Sequence, residues 1–162
     1  MSTFLERLRR CKEDRGMMAN LRCILVKNKK HRAWPVLSRI GVNVGNETAA
    51  YVAGLYAMHP EETDQGNFGI TCRRIEQERK EKGSDDNRIT PTERRFQQIL
   101  ACDRHEVVER LIRMVKMAKS SNGVPVNYAQ LEKDLRFWSD RTKTEWAMSF
   151  WAPGAISVEE DV

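Results

Sequence analysis

Two sets of side chains in this sequence have the types and spacing to do chemistry. The first is a crowd of bases near the N-terminus; the second is four cysteines and three histidines spread along the chain. Residues 1–40 hold eleven Lys and Arg against three acids, a local balance of +8. Residues 41–87 hold five bases against nine acids, a balance of −4, and residues 88–162 hold twelve against eleven. Arg10, Lys12, Arg15, Arg22, Lys27, Lys29, Lys30 and Arg32 surround one expected helical hairpin. For any single base the plainer reading is the solvated face of an amphipathic helix. Together they set up a positive field suited to a polyanion. Arg94 and Arg95 follow Thr90-Pro91-Thr92-Glu93, a capping box with proline at the first helical position. A phosphate there would meet an arginine fork and the positive end of a helix dipole. Such contacts hold a backbone in place and read no bases.

The cysteines and histidines offer less. Cys11, Cys23, Cys72 and Cys102 form no CxxC pair and, with His31, His59 and His105, match no zinc or haem spacing. All seven read as structural or incidental. Cys102 and His105 are three apart, but Asp103 between them is expected to cap a helix, which leaves Cys102 as a packing residue. There is no Gly-rich phosphate loop, GxSxG elbow or HExxH pair. The acidic run Glu61-Glu62-Thr63-Asp64 is the one segment that invites a divalent cation, but it lacks a partner acid or histidine at suitable spacing. Asp85-Asp86 has the same status, and Glu132 and Asp134, two apart, do not share a helix face. The expectation is a protein with no catalytic residues, no cofactor and no metal ligands. Of the tryptophans, Trp138 and Trp146 sit among apolar residues and read as core, whereas Trp34 beside the basic run reads as a surface platform on which a base could stack.

The scaffold that must carry these residues reads as all-α. With 162 residues, 40% of them hydrophobic, the chain can build a core of its own. Apolar residues recur at helical spacing in Phe4, Leu5, Leu8 and Cys11, then in Met17, Met18, Leu21, Ile24 and Leu25 after a break at Gly16. A short helix runs from Trp34 to Ile40. Asn46 caps the next, which is apolar nearly all round from Ala49 to Met58. A helix from about Ile70 to Lys82 has few large aliphatics and reads as largely exposed. The helices after Thr90 and Asp103 follow, then one opened by Asn127 that includes Phe137 and Trp138, then a last one from near Thr142. This gives about eight helices arranged as two small packed bundles, with residues 1–83 and 84–162 as subdomains divided in the Gly83–Asn87 loop and an acidic frayed tail at Glu159–Asp161. A chain this long with ample Leu, Ile and Val needs no disulfide framework, so a reducing cytoplasm is the expected location. No run approaches a membrane span, and the N-terminus does not read as a signal peptide.

Three segments, in order, resemble a known family. DRGMMANLR at residues 14–22 looks like the DRGxxAxLR element of the CasB proteins, the small subunit of the type I-E CRISPR surveillance complex, Cascade. GITCRR at 69–74 resembles that family's small-residue turn followed by basic helix, and ERRFQQILACDR at 93–104 resembles its ERRFxxLLxAD-type segment. The resemblance covers nearly the whole chain, including the Trp-rich final helix pair. It implies an all-helical, non-catalytic subunit that associates head to tail with a second copy and joins the other Cascade subunits. The implied partners are guide RNA and the target and non-target DNA strands, and the implied role is to help hold the opened strands of the R-loop. Carried across position by position, it points to Arg15, Arg22, Arg73, Arg94, Arg95 and Arg104. Lys29, Lys30 and Arg32 are added on charge alone, and Cys23 stands where relatives often carry another arginine. For Arg15 and Arg22, internal ion pairs are an equal alternative. A pure assembly subunit, whose bases meet acidic protein neighbours, is the rival reading; a small helical enzyme with a metal at the acidic loop is the second.

Overall fold

Short polar side chains start most of the helices. In the computed structural model, which describes residues 3–80 and 89–153, the side chains of Asp14, Asn46, Thr90, Asn127 and Ser139 each accept a hydrogen bond from the backbone N–H three residues on. Such caps satisfy one of the orphan donors of the first turn. The helices are α1 (Thr3–Arg10), α2 (Arg15–Arg22), α3 (Trp34–Arg39), α4 (Glu47–Met58), α5 (Phe68–Lys80), α6 (Pro91–Leu100), α7 (Val107–Ser120), α8 (Tyr128–Arg136) and α9 (Asp140–Phe150). Three short 3₁₀ turns, Cys11–Glu13, Cys23–Leu25 and Lys30–Arg32, link the first three helices. Among the described residues there is no strand, only one parallel bridge between Glu62 and Val126. The fold is all-α, as the periodicity implies. The proposed Gly83–Asn87 boundary, Asp85-Asp86 and the acidic tail lie outside the described residues.

Several local expectations need correction. Gly16 does not break the chain. It lies inside α2, and the break falls at the 3₁₀ turn and the extended Asp14 before it. The second helix ends at Arg22, so Ile24 and Leu25 of the expected helical stripe lie in a 3₁₀ turn, and the basic run from Lys27 to Arg32 lies in the turns that follow. Asp103 caps a turn that precedes α7, accepting from the N–H groups of His105 and Glu106 at 2.9 and 3.0 Å. Phe137 lies just past α8 and is 66% exposed.

The largest correction concerns α5. Phe68, Gly69, Thr71, Cys72 and Ile75 are buried, and the helix packs against α9, α6 and α7. Small residues allow this close approach. A Cβ on Gly69 would collide with the Trp146 backbone carbonyl. On the other side of the molecule, α4 is buried from Val52 to Ala57 between α2 and α8, and a Cβ on Gly54 would collide with Ile24.

Loop 59–67 is tied down through backbone groups. Buried His59 donates from Nε2 to the Val124 carbonyl at 2.7 Å, and the buried Tyr128 hydroxyl donates to the His59 carbonyl. Thr63 N–H donates to Val126 O, and Val126 N–H to Glu61 O. An aromatic cluster closes the C-terminal helices. Phe96 stacks on Phe150 with centroids 4.4 Å apart, and Trp146 meets Phe68 and Trp138 at 5.3 and 5.0 Å. Both tryptophans expected in the core are packed there, with Trp146 N–H on Asp134 and Trp138 N–H on the Cys102 carbonyl. Trp34 is 46% exposed, with His31 edge-on to it.

Candidate nucleic-acid interface

The seven-residue separation of Arg15 and Arg22 puts both on one face of α2, about 10 Å apart along the axis. The fold turns that spacing into a site. Arg15 and Arg22 line one hollow of about 330 Å³ with Lys12 from the preceding 3₁₀ turn and Lys119 from α7, above a floor that includes Met18, Met58 and Pro60. No carboxylate lines it. Arg22 donates from Nη1 to the Ala57 carbonyl at 3.2 Å near the end of α4, which anchors its guanidinium while leaving other N–H groups of the fork available. Among the described residues neither arginine makes an ion pair, so the internal-pair alternative has no partner there. Lys119 is not singled out by the sequence. It is 97 positions from Arg22, and nothing local marks it apart from the other exposed bases of α7.

A second group forms around Tyr51 of α4. Lys30 donates to the Tyr51 hydroxyl at 2.7 Å, with its Nζ 5.1 Å from the ring centroid. Tyr51 lines an open cleft that Arg104 and His105 also line. Lys29 and Arg32 are exposed in the turns beside Lys30.

The remaining sequence-derived positions line neither hollow nor cleft. Arg73 is half-buried on α5. Arg94 is exposed, whereas Arg95 lies across to α7 with Nη1 3.0 Å from the Met117 sulfur. The two do not make one fork. The first turn of α6 also carries acid: Thr90 donates to Glu76, and the Glu93 carboxylate accepts from Trp151 N–H at 3.1 Å. Those carboxylates oppose a phosphate at this helix start.

The chemistry of the other groups is that of structure. Glu62 of the acidic run is held by Arg9 in a two-pronged contact at 2.8 and 3.1 Å, and that hydrogen bond holds the Arg9 guanidinium above its ordinary pKa. Among the described residues no three His, Cys, Asp or Glu side chains are placed to hold a metal ion. Burial pushes the thiols of Cys11, Cys72 and Cys102 up, the direction opposite to a nucleophile. Cys102 donates to the Gln98 carbonyl at 3.2 Å and packs, as expected. No helix of the described residues is long and apolar enough to cross a membrane.

Comparison with known proteins agrees with the segment resemblance. No curated protein sequence matches the chain significantly. Among solved structures, CasB from Thermus thermophilus is 20% identical with a TM-score of 0.70, covering 92% of this chain and 96% of its own. A CRISPR-associated protein of the Cse2 family, also from Thermus thermophilus, is 21% identical with a TM-score of 0.71 over the same shares. CasB from M. ruber is 19% identical with a TM-score of 0.72, covering 98% of this chain and 94% of its own. At such identities the likeness establishes the fold. The model of the CRISPR-associated protein Cse2 family matches residues 6–151. The chain is therefore a member of the CRISPR-associated Cse2 family.

Proposed function

We propose that this chain is the small subunit of a CRISPR Cascade complex and holds nucleic-acid backbones without reading their sequence. Proteins of the family are non-catalytic structural subunits, so the function is binding and assembly. The observation that carries the reading is the hollow where Lys12, Arg15, Arg22 and Lys119 meet with no acid among them. Four cations brought together from the 3₁₀ turn, α2 and α7 cost self-repulsion unless a polyanion relieves it. R-loop formation is nearly balanced in energy, so a few backbone contacts suffice to tip it toward the open state. In this reading the partners are guide RNA, target and non-target DNA, the other Cascade subunits and a second copy of the chain, and the setting is the cytoplasm.

The test is the salt dependence of single-stranded DNA binding by the full chain. Each neutralised phosphate of a single strand contributes a slope of about −0.7 to log K against log salt. Arg15→Ala with Arg22→Ala is expected to make the slope shallower by about 1.4 and to weaken binding on the order of tenfold to a hundredfold at low salt. Equal slopes in a folded variant would remove the hollow from the interface.

A second reading, a pure assembly subunit, draws on other residues. Phe137 and Met148, each 66% exposed, are apolar groups suited to protein neighbours. Crosslinks from the hollow to protein alone within the assembled complex would favour that reading.

A further inference from the structure

The cleft beside Tyr51 has a volume of about 470 Å³, within the range of sites that take small molecules. Its lining is chemically mixed. Val108 and Leu135 offer aliphatic surface, Tyr51 an aromatic ring, Arg104 and His105 cationic or donor groups, and Glu47 a carboxylate. These come from α4, the turn before α7, α7 and α8, so the cleft exists only in the folded chain. Tyr51 is half-buried on a helix whose next six residues are buried. Lys30 fixes its hydroxyl, so the ring is held rather than free to turn away. Arg104 makes no hydrogen bond or ion pair among the described residues, and the neighbouring acid Asp103 is engaged by the N–H groups of His105 and Glu106.

We propose that this cleft accepts one unstacked nucleotide of a single strand, an inference that rests on the nucleic-acid reading above. The base packs on Tyr51, Val108 and Leu135, and the phosphate lies on Arg104 with His105 beside it. Glu47 repels phosphate from its side of the cleft and can accept from a base N–H, which sets the direction in which the nucleotide enters. A strand anchored this way gains affinity from a base as well as from its backbone, while any base with a π-face qualifies.

The experiment uses the full chain and a labelled twelve-nucleotide deoxyadenosine oligonucleotide, beside an oligonucleotide of equal length and charge whose central bases are abasic. Fluorescence anisotropy at low salt reads both affinities. The intact strand is expected to bind on the order of tenfold more tightly than the abasic one. Val108→Trp, which fills the cleft, should bring intact and abasic affinities together, and Arg104→Ala should weaken the intact strand several-fold. Should Val108→Trp fail to fold by circular dichroism, Tyr51→Ala, which removes the ring on which the base packs, carries the same test of intact against abasic affinity. If the wild type binds both strands equally with salt sensitivity intact, the cleft proposal fails and the backbone reading stands. If neither strand binds even at low salt, the backbone reading fails and takes the cleft with it. Adenosine monophosphate is the last arm. Competition well below millimolar would assign the cleft to a free nucleotide and overturn the strand proposal; no competition in that range supports it.

Discussion

Asp134 is buried on α8, where its two carboxylate oxygens accept from Trp146 Nε1 at 2.7 Å and Gln130 Nε2 at 2.9 Å. Desolvation pushes its pKa above the usual 3.8, against the pull of those two donors. An acid raised in this way favours folding most when protonated. Its contribution is fully present below 3.8 and is lost as pH rises through the higher folded value. Asp134→Asn keeps an acceptor for Trp146 and removes the buried charge, and an amide flip of Gln130 restores the second bond. Its melting temperature at about neutral pH is expected to equal or exceed the wild type's, with the two curves converging as pH falls toward 3.8. Asp134→Ala, which strands the indole N–H, should lose about 1–3 kcal/mol. Thermal melts from about pH 3 to about pH 8, a span that covers the titration of a carboxyl, check both. An Asn variant that loses as much as the Ala variant would contradict the unfavourable role given to the buried charge. What the sequence revealed at this scale was local. Asn46, Thr90 and Asn127 were legible as caps because their partners lie three residues on. The partner of Asp134 is twelve residues away on another helix, and the periodicity that separated it from Glu132 gave no hint that both are buried, Glu132 with its own ion pair to Arg136.

At the scale of elements, α5 shows where pattern reading loses its grip. The count of large aliphatics marked it as exposed. Its contact face is instead built from Gly69, Thr71 and Cys72 with Phe68 and Ile75, residues whose small size lets α9 approach. Gly69→Ala places a methyl against the Trp146 backbone carbonyl, which cannot rotate aside as a flexible side chain would. Gly69 is the second residue of α5, so alanine's higher helix propensity offsets the clash by less than the roughly 1 kcal/mol of a helix interior. The clash is the larger effect, and a net loss of about 1–3 kcal/mol in denaturant unfolding is expected. A stabilised Gly69→Ala would mean that α5 and α9 have room between them for a methyl group. By contrast, α4 is legible because it is apolar nearly all round between its Asn46 cap and Pro60, and the body of α7 because its apolar residues recur at 3.6-residue spacing.

At the scale of the molecule, the sequence located the positive charge but not its geometry. The excess in the first forty residues was plain, and Arg15 and Arg22 stood out from it and from the resemblance. That they share a hollow with Lys119 depends on how α2 and α7 lie in the fold, which no local pattern encodes. The reverse holds for Arg94 and Arg95. A strong cap made them look like one anion fork, yet Arg95 is turned onto Met117 and acids crowd the same first turn. Loss of the hollow should therefore matter more than loss of this pair. The most direct measurement is R-loop half-life in the reconstituted Cascade complex carrying Arg15→Ala, Arg22→Ala and Lys119→Ala together, set beside Arg94→Ala with Arg95→Ala, each shown to fold and to join the complex. The prediction is a half-life shortened on the order of tenfold or more by the hollow variant, as expected for the loss of several phosphate contacts, and a smaller change for the pair. An unchanged half-life in an assembled hollow variant would contradict the claim that this surface supports the opened strands.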